Sequence, residues 1–307
     1  MPIVNFLLAS RIFFCYTIFM LPITIRKRTI TSADLEFIQR IIYQHWGKSR
    51  TQISKIICLK WNWFQPNGRL KDMACREILL TLYRKGLISY PPGAHDGRNK
   101  KRNQSIPFVS TDTTPLIAKL SDLEPVELKL IRNTELETLY NSLVQEHHYL
   151  GFRQIVGNHL KYMAFIGKRP VACIGWGSAA WSVKSRESFV GWNKKTKENN
   201  LHLVANNTRF LILPWISVKC LASKILALNA KRISNDWLDV YHHPLYLLET
   251  FIEQNRFKGT CYKAANWIKV GHTKGTAKRG HDHLTHGIIK DVLVYPLGKN
   301  FMQKLMG

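Results

Sequence analysis

Residues 160 to 177 read LKYMAFIGKRPVACIGWG, two apolar runs joined at Gly167-Lys168, and this spacing predicts a β-hairpin with a buried pair of strands. Upstream, Asn133 to Gly151 (NTELETLYNSLVQEHHYLG) reads as an amphipathic helix capped by Asn133 or Thr134 and stopped at Gly151. Downstream, TRFLILP from Thr208 is a short buried strand and SVKCLASKILALNAKRISNDWLDVY from Ser217 a long helix. HPLYLLETFIE from His243 is a strand, GTCYKAANWI from Gly259 a short helix, and IIKDVLVYPL from Ile288 a closing strand. Residues 132–307 are therefore expected to form one mixed α/β domain.

Helix, hairpin, strand, long helix, strand, short helix, strand is an order that resembles the GNAT acyltransferase-like fold, though topology alone does not make an acyltransferase. An acyltransferase of that kind holds the pyrophosphate of acetyl-CoA on backbone N–H groups at the start of the long helix, usually with glycines there. Here Val218 to Ser223 offers only Ala222 and Ser223 as small residues. Lys219 at that turn suits a phosphate, including one on DNA. Tyr262 is a candidate general acid or a core aromatic with a satisfied hydroxyl, and Trp267 reads as packing.

A metal-dependent nuclease or transposase needs carboxylates to hold divalent ions such as Mg²⁺. Asp236 and Asp239, three apart, share a helix face, and Glu249 stands in the apolar run LLETF. Glu249 reads either as catalytic or as the partner of a nearby cation such as Arg209. The six cysteines are scattered without a CxxC pair, so they read as reduced thiols, and the histidine pairs 147–148 and 242–243 and the run HDHLTH lack a suitably placed cysteine for a metal site.

The first part of the chain has helical periodicity from Thr31. Leu35, Ile38, Ile41 and Ile42 form one stripe behind an N-cap at Thr31 or Ser32. SRTQISKIICLKWNW and NGRLKDMACREILLTLYRKGLI predict two more helices, the last ended by Gly86. SYPPGAHDGRNKKRNQS then has the composition of a wing or linker. The expected fold of residues 29–105 is a winged helix-turn-helix, making the whole chain α+β. Candidate DNA contacts are Arg69, Lys71 and Arg76 at the third helix, beside Gln65 and Asn67, and the wing-like Arg98, Lys100, Lys101 and Arg102. Residues 106–131, with three prolines, read as a linker or crossing strap.

Residues 3–25 are nearly all apolar, but Arg11 interrupts them, Pro22 falls near their end, and Met20 is an alternative start. Residues 1–19 are thus read as a mis-called start or a hydrophobic segment, and the rest as a cytoplasmic protein. The 307 residues carry 45 Lys and Arg against 20 Asp and Glu, a net charge of +25 and a pI near 10.0. Such an excess calls for a polyanionic partner, with duplex DNA foremost. From Arg256 onward ten basic residues face two acidic ones, and Lys263, Lys274, Lys278 and Arg279 join the candidate phosphate contacts, the last three in an expected basic loop.

Several motifs in order then carry a resemblance: HHYLG from His147, GWGSAAW from Gly175, VGW from Val190, NNTRFLILPWISVKCLAS from Asn206, and LETFIE followed by FKGTCYKAANWIKVGHTKG from Leu248. Together with NWFQPNGRLKDMACREILLTLYRKGLISYPP they resemble the DruA family (domain of unknown function 4338). The resemblance implies a prokaryotic protein with homologues in the Druantia anti-phage defence system and in insertion-sequence proteins, acting with other proteins of such a system. It carries over no catalytic residue. Similar proteins continue the GxTxG segment with RGR, whereas this chain reads GHTKGTAKRGHDH. The leading expectation is a DNA-binding component; the alternatives are an acyltransferase using acetyl-CoA and a metal-dependent strand-transfer enzyme using Mg²⁺.

Overall fold

The computed structural model describes residues 22–91, 105–279, 282–285 and 287–307. The chain divides into two compact units, 1–103 and 104–307. The proposed wing cations Arg98, Lys100, Lys101 and Arg102 and the segment 1–19 lie outside the described residues.

In the first unit, strands β1 (Ile23–Ile25) and β2 (Arg28–Ile30) pair antiparallel and lead into α1 (Ser32–Gln44), α2 (Arg50–Lys60) and α3 (Asp72–Arg84). Thr31 caps α1 in a reciprocal box with Asp34 and the buried stripe is Leu35, Ile38, Ile41 and Ile42, as the periodicity predicts. Ser49 caps α2 in the same way through Gln52. Gly86, at φ 71°, follows the end of α3, and the Leu87 N–H closes back on Leu82 O at 3.0 Å. Isoleucines and leucines of all three helices, among them Ile38, Ile57 and Leu79, form the core.

The link between α2 and α3 is not a tight turn. Residues 61–71 fold back on themselves, with a bridge between Phe64 and Leu70 and the Gln65 N–H bonded to Arg69 O at 2.6 Å. Arg69 therefore sits in this loop and not on the helix, and Lys71 occupies the N-cap position. Arg76 lies in the helix, held to Asp72 at 3.5 Å. The loop is fixed by the Arg28 guanidinium, 3.9 Å above the Trp61 ring.

The second unit begins with β3 (Leu116–Ala118) and β4 (Val126–Leu130), so residues 106–131 are not merely a strap. Then come α4 (Leu136–His147), β5 (His159–Ile166), β6 (Arg169–Ser178), α5 (Lys184–Val190), α6 (Lys194–Asn200), β7 (Val204–Ile212), β8 (Ile216–Val218) and α7 (Leu221–Tyr241). The chain finishes with β9 (Leu247–Glu253), α8 (Thr260–Ala264), β10 (Ile268–His272), β11 (Thr276–Arg279), β12 (Asp282–Thr285), β13 (Lys290–Pro296) and α9 (Phe301–Met306). Seven strands make one sheet in the order β10-β13-β9-β7-β6-β5-β4, and β3 pairs β8 separately. Within the large sheet every pair is antiparallel except β7 with β9, which the long crossover through α7 joins in parallel.

The β5–β6 hairpin turns at Gly167-Lys168, as predicted. Consecutive residues of β6 explain its unbroken burial. A Cβ on Gly175 would meet Tyr140 Oη of α4 at 2.5 Å, while the Trp176 indole donates to Asn229 Oδ1 of α7 at 2.5 Å. Neighbours along a strand point to opposite faces, so α4 covers one face of the sheet and α7 the other, and both faces select apolar residues. Lys278 and Arg279, expected in an open loop, belong to the β11–β12 hairpin, whose base is closed by the Gly287 N–H on Gly275 O at 3.1 Å. Lys274 is exposed just before it. Among the described residues no helix is long and apolar enough to cross a membrane.

Candidate functional site, a pocket between two parting strands

The site originates in one extra residue. Between β6 and β7 the register runs Trp176 to Asn207 and then Gly175 to Arg209, leaving Thr208 as a bulge. Gly175 O accepts both the Asn207 Nδ2 and the Thr208 hydroxyl at 3.1 Å, which holds the bulge in place. A bulge bends its strand. Accordingly β7 and β9 pair only from Val204 with Leu247 to Asn207 with Thr250, and past that point the two strands run on without pairing.

A cavity of about 590 Å³ occupies the gap. Its walls are the ends of β7 and β9 beyond their shared pairing, the end of α4 with His148 and Tyr149, Ala222 in the first turn of α7, and residues 257–262. Gly259 begins α8 at φ 67°, and a Cβ there would meet Ile252 Cδ1 at 2.7 Å, so glycine is what lets this segment close against β9.

The pocket is cationic. Arg209, Lys258 and Lys290 line it, and among the described residues no Asp or Glu does. The Arg209 guanidinium is fixed by Gly151 O at 3.0 Å and Thr208 O at 2.6 Å, and burial lowers its affinity for its proton. Burial, aided by Arg209, pushes His148 down to about 4, so this imidazole is neutral at pH 7. Its Nδ1 accepts the Leu150 N–H at 3.2 Å and its ring stacks on Tyr149, 4.8 Å between centroids.

Tyr262 forms part of the wall. Its hydroxyl donates to Asn207 Oδ1 at 2.5 Å, and burial holds it protonated far above the usual tyrosine range. Trp267 packs edge-on to it at 5.1 Å and stacks on Trp176 at 6.3 Å, which makes Trp267 core. Tyr262→Phe should leave a buried acceptor on Asn207 and cost about 1–3 kcal/mol of stability; urea denaturation of the variant measures it, and an unchanged midpoint would show that the bond carries nothing.

Within this geometry the comparisons can be placed. A family model described as Druantia protein DruA matches residues 81–281, a span that holds every lining residue of the pocket except Lys290. The chain belongs to the DruA family. No curated relative matches it in sequence. Among solved structures it is similar to an aminoglycoside acetyltransferase AAC(6')-Ib in complex with coenzyme A, at 15% identity and TM-score 0.37, over 59% of this chain and 98% of that one. It is also similar to an N-acetyltransferase from Staphylococcus aureus Mu50, at 13% identity and TM-score 0.35, over 56% and 98%. An acetyltransferase of the GNAT family from Streptococcus pneumoniae stands at 10% and 0.35, over 57% and 100%. Likenesses this distant carry no argument about activity.

The carboxylates singled out in this DruA-family sequence do not meet. Asp236 is held by Arg232 at 2.6 Å and takes the Tyr162 hydroxyl at 2.8 Å, while Asp239 is exposed on the same helix. Glu249 is sealed from solvent, and its partner is Arg186 at 2.7 Å, not Arg209, whose guanidinium is committed beyond the bulge. Among the described residues no three His, Cys, Asp or Glu side chains gather in a way that would hold a metal ion, so the donor set does not fit Mg²⁺. Of the proposed DNA contacts, Arg69, Lys219, Lys263 and Lys274 are exposed, and Lys71 and Arg76 are half-buried. His148 and Tyr149 were legible only as part of the HHYLG motif, and nothing in the sequence placed them on a pocket wall.

Proposed function

We propose that this DruA-family chain is a DNA-binding component of a prokaryotic anti-phage defence system, or of a related mobile element, working beside other proteins of that system. The observation that carries the reading is the charge. Buried and half-buried acids of the fold have cation partners, Glu137 with Lys161, Glu187 with Lys197 and Arg186, Glu249 with Arg186, and Asp236 with Arg232. Such pairs cancel, and the whole excess of 25 positive charges remains for a partner. The three-helix first unit supports a helix-turn-helix reader with a long connecting loop, in which Arg69 and Lys71 reach phosphates. Anisotropy of a labelled duplex titrated with the full chain at low salt tests the reading. Saturable binding that needs no Mg²⁺ and leaves the duplex uncut is expected, and absence of binding overturns it.

A second reading, a GNAT-like acyltransferase with Tyr262 as acid, is favoured by one observation: the first turn of α7 opens on the pocket at Ala222. Coenzyme A should then raise the melting temperature, and no shift removes that reading.

A further inference from the structure

We infer that the pocket between β7 and β9 receives a single nucleotide drawn out of a nucleic-acid strand, its base among the pocket aromatics and its phosphate on the cationic rim. The inference rests on the DNA-binding reading above and gives the pocket its ligand class.

Three independent features converge. Among the described residues the lining has three cations, two histidines, of which His148 is neutral, and no carboxylate, which selects an anion. Tyr149 and Phe257 on the same wall are 39% and 47% exposed, with ring centroids 5.2 Å apart, and the Arg256 guanidinium lies 4.8 Å over Tyr149. Large aromatics kept in water beside an arginine are a stacking platform for a base. Finally, Asn206 lines the cavity, and its Oδ1 is buried with no hydrogen-bond partner. Buried polar atoms are normally satisfied, and a side-chain amide matches the donor and acceptor edge of a base.

The polymer is favoured over a free coenzyme by the same charge that argues for DNA, and by the start of α7. Leu221, Ala222 and Ser223 supply no glycine where a pyrophosphate would approach the backbone. A duplex keeps its bases stacked, so extraction costs unpairing and unstacking, least at a mismatch. The pocket should therefore respond to how easily a base leaves the helix.

The test uses the full chain and two duplexes of one sequence, one fully paired and one with 2-aminopurine at a mismatched position. The mismatched duplex is expected to bind roughly tenfold more tightly, with a rise in 2-aminopurine fluorescence as the base unstacks. Phe257→Ala and Tyr149→Ala should abolish both the preference, read as the ratio of the two affinities, and the rise. Both side chains are exposed enough for the variants to fold. Equal affinities with no fluorescence change overturn the pocket assignment and leave DNA binding standing. A preference that survives both substitutions also overturns it. Failure to bind either duplex overturns DNA binding and the inference together, as does stabilisation by coenzyme A in a chain that binds no duplex.

Discussion

Arg186→Met is expected to lose roughly 3–5 kcal/mol of unfolding free energy at neutral pH, because it strands a carboxylate that has no access to water. Arg186 and Glu249 are both 0% exposed, 2.7 Å apart, and both also hold Ala180: Glu249 accepts its N–H at 2.8 Å and Arg186 donates to its carbonyl at 2.9 Å. The double variant Arg186→Met, Glu249→Leu removes both charges and should recover part of the loss. Recovery is incomplete because two backbone groups of Ala180 lose their partners, each worth about 1–3 kcal/mol when left buried. The deficit also has a sign in pH. Burial raises the Glu249 pKa, against the pull of Arg186 and the Ala180 N–H. A carboxyl that keeps its proton longer in the folded chain stabilises below the unfolded value, and that contribution fades as pH rises through the folded value. Without Arg186 the folded value climbs further, so the deficit should be small in mild acid and widen towards neutrality. Equilibrium denaturation at several pH values reads it; a deficit below about 1 kcal/mol at neutral pH would mean that the pair is not sealed as described.

Features that depend on neighbouring residues were legible in the sequence. The capped stripe of α1, the Gly167-Lys168 turn and the long α7 follow from periodicity and turn chemistry alone. Features that depend on pairing were not. Val126–Leu130 looks like part of a strap because prolines run up to it, yet it completes the sheet edge against β5. The partner of Glu249 is 63 positions away on a helix with no distinguishing pattern, and Arg209, a neighbour by strand order, is turned elsewhere by the bulge. The pocket itself exists because one residue, Thr208, is out of register, and a single-residue slip leaves no trace in composition or hydrophobic alternation. The burial of Tyr262 could be read from its aromatic neighbours, whereas its place on a cavity wall needed the parting of β7 from β9.

Duplex affinity is expected to fall by about 10³ to 10⁵ between roughly 50 and 200 mM salt, the range that follows from six to ten neutralised phosphates. The steepness comes from counterions released when lysines and arginines replace them along the backbone. Each contact adds about 0.9 to the slope of log affinity against log salt. Lys219, Lys263 and Lys274 are exposed, so replacing all three with alanine should lower the slope by about 3 if they share one footprint. Lys161 is the counter-case. It is 4% exposed and held by Glu137 at 2.7 Å and Asn141 at 2.8 Å, so Lys161→Met should leave the slope unchanged while reducing stability. A slope lost equally in both variants would mean that the substitutions act through folding, and a flat plot for the parent chain would remove the polyanion altogether. A slope reduced only by the exposed set ties the binding to this surface, because only a cation that water already reaches can replace a counterion on a phosphate.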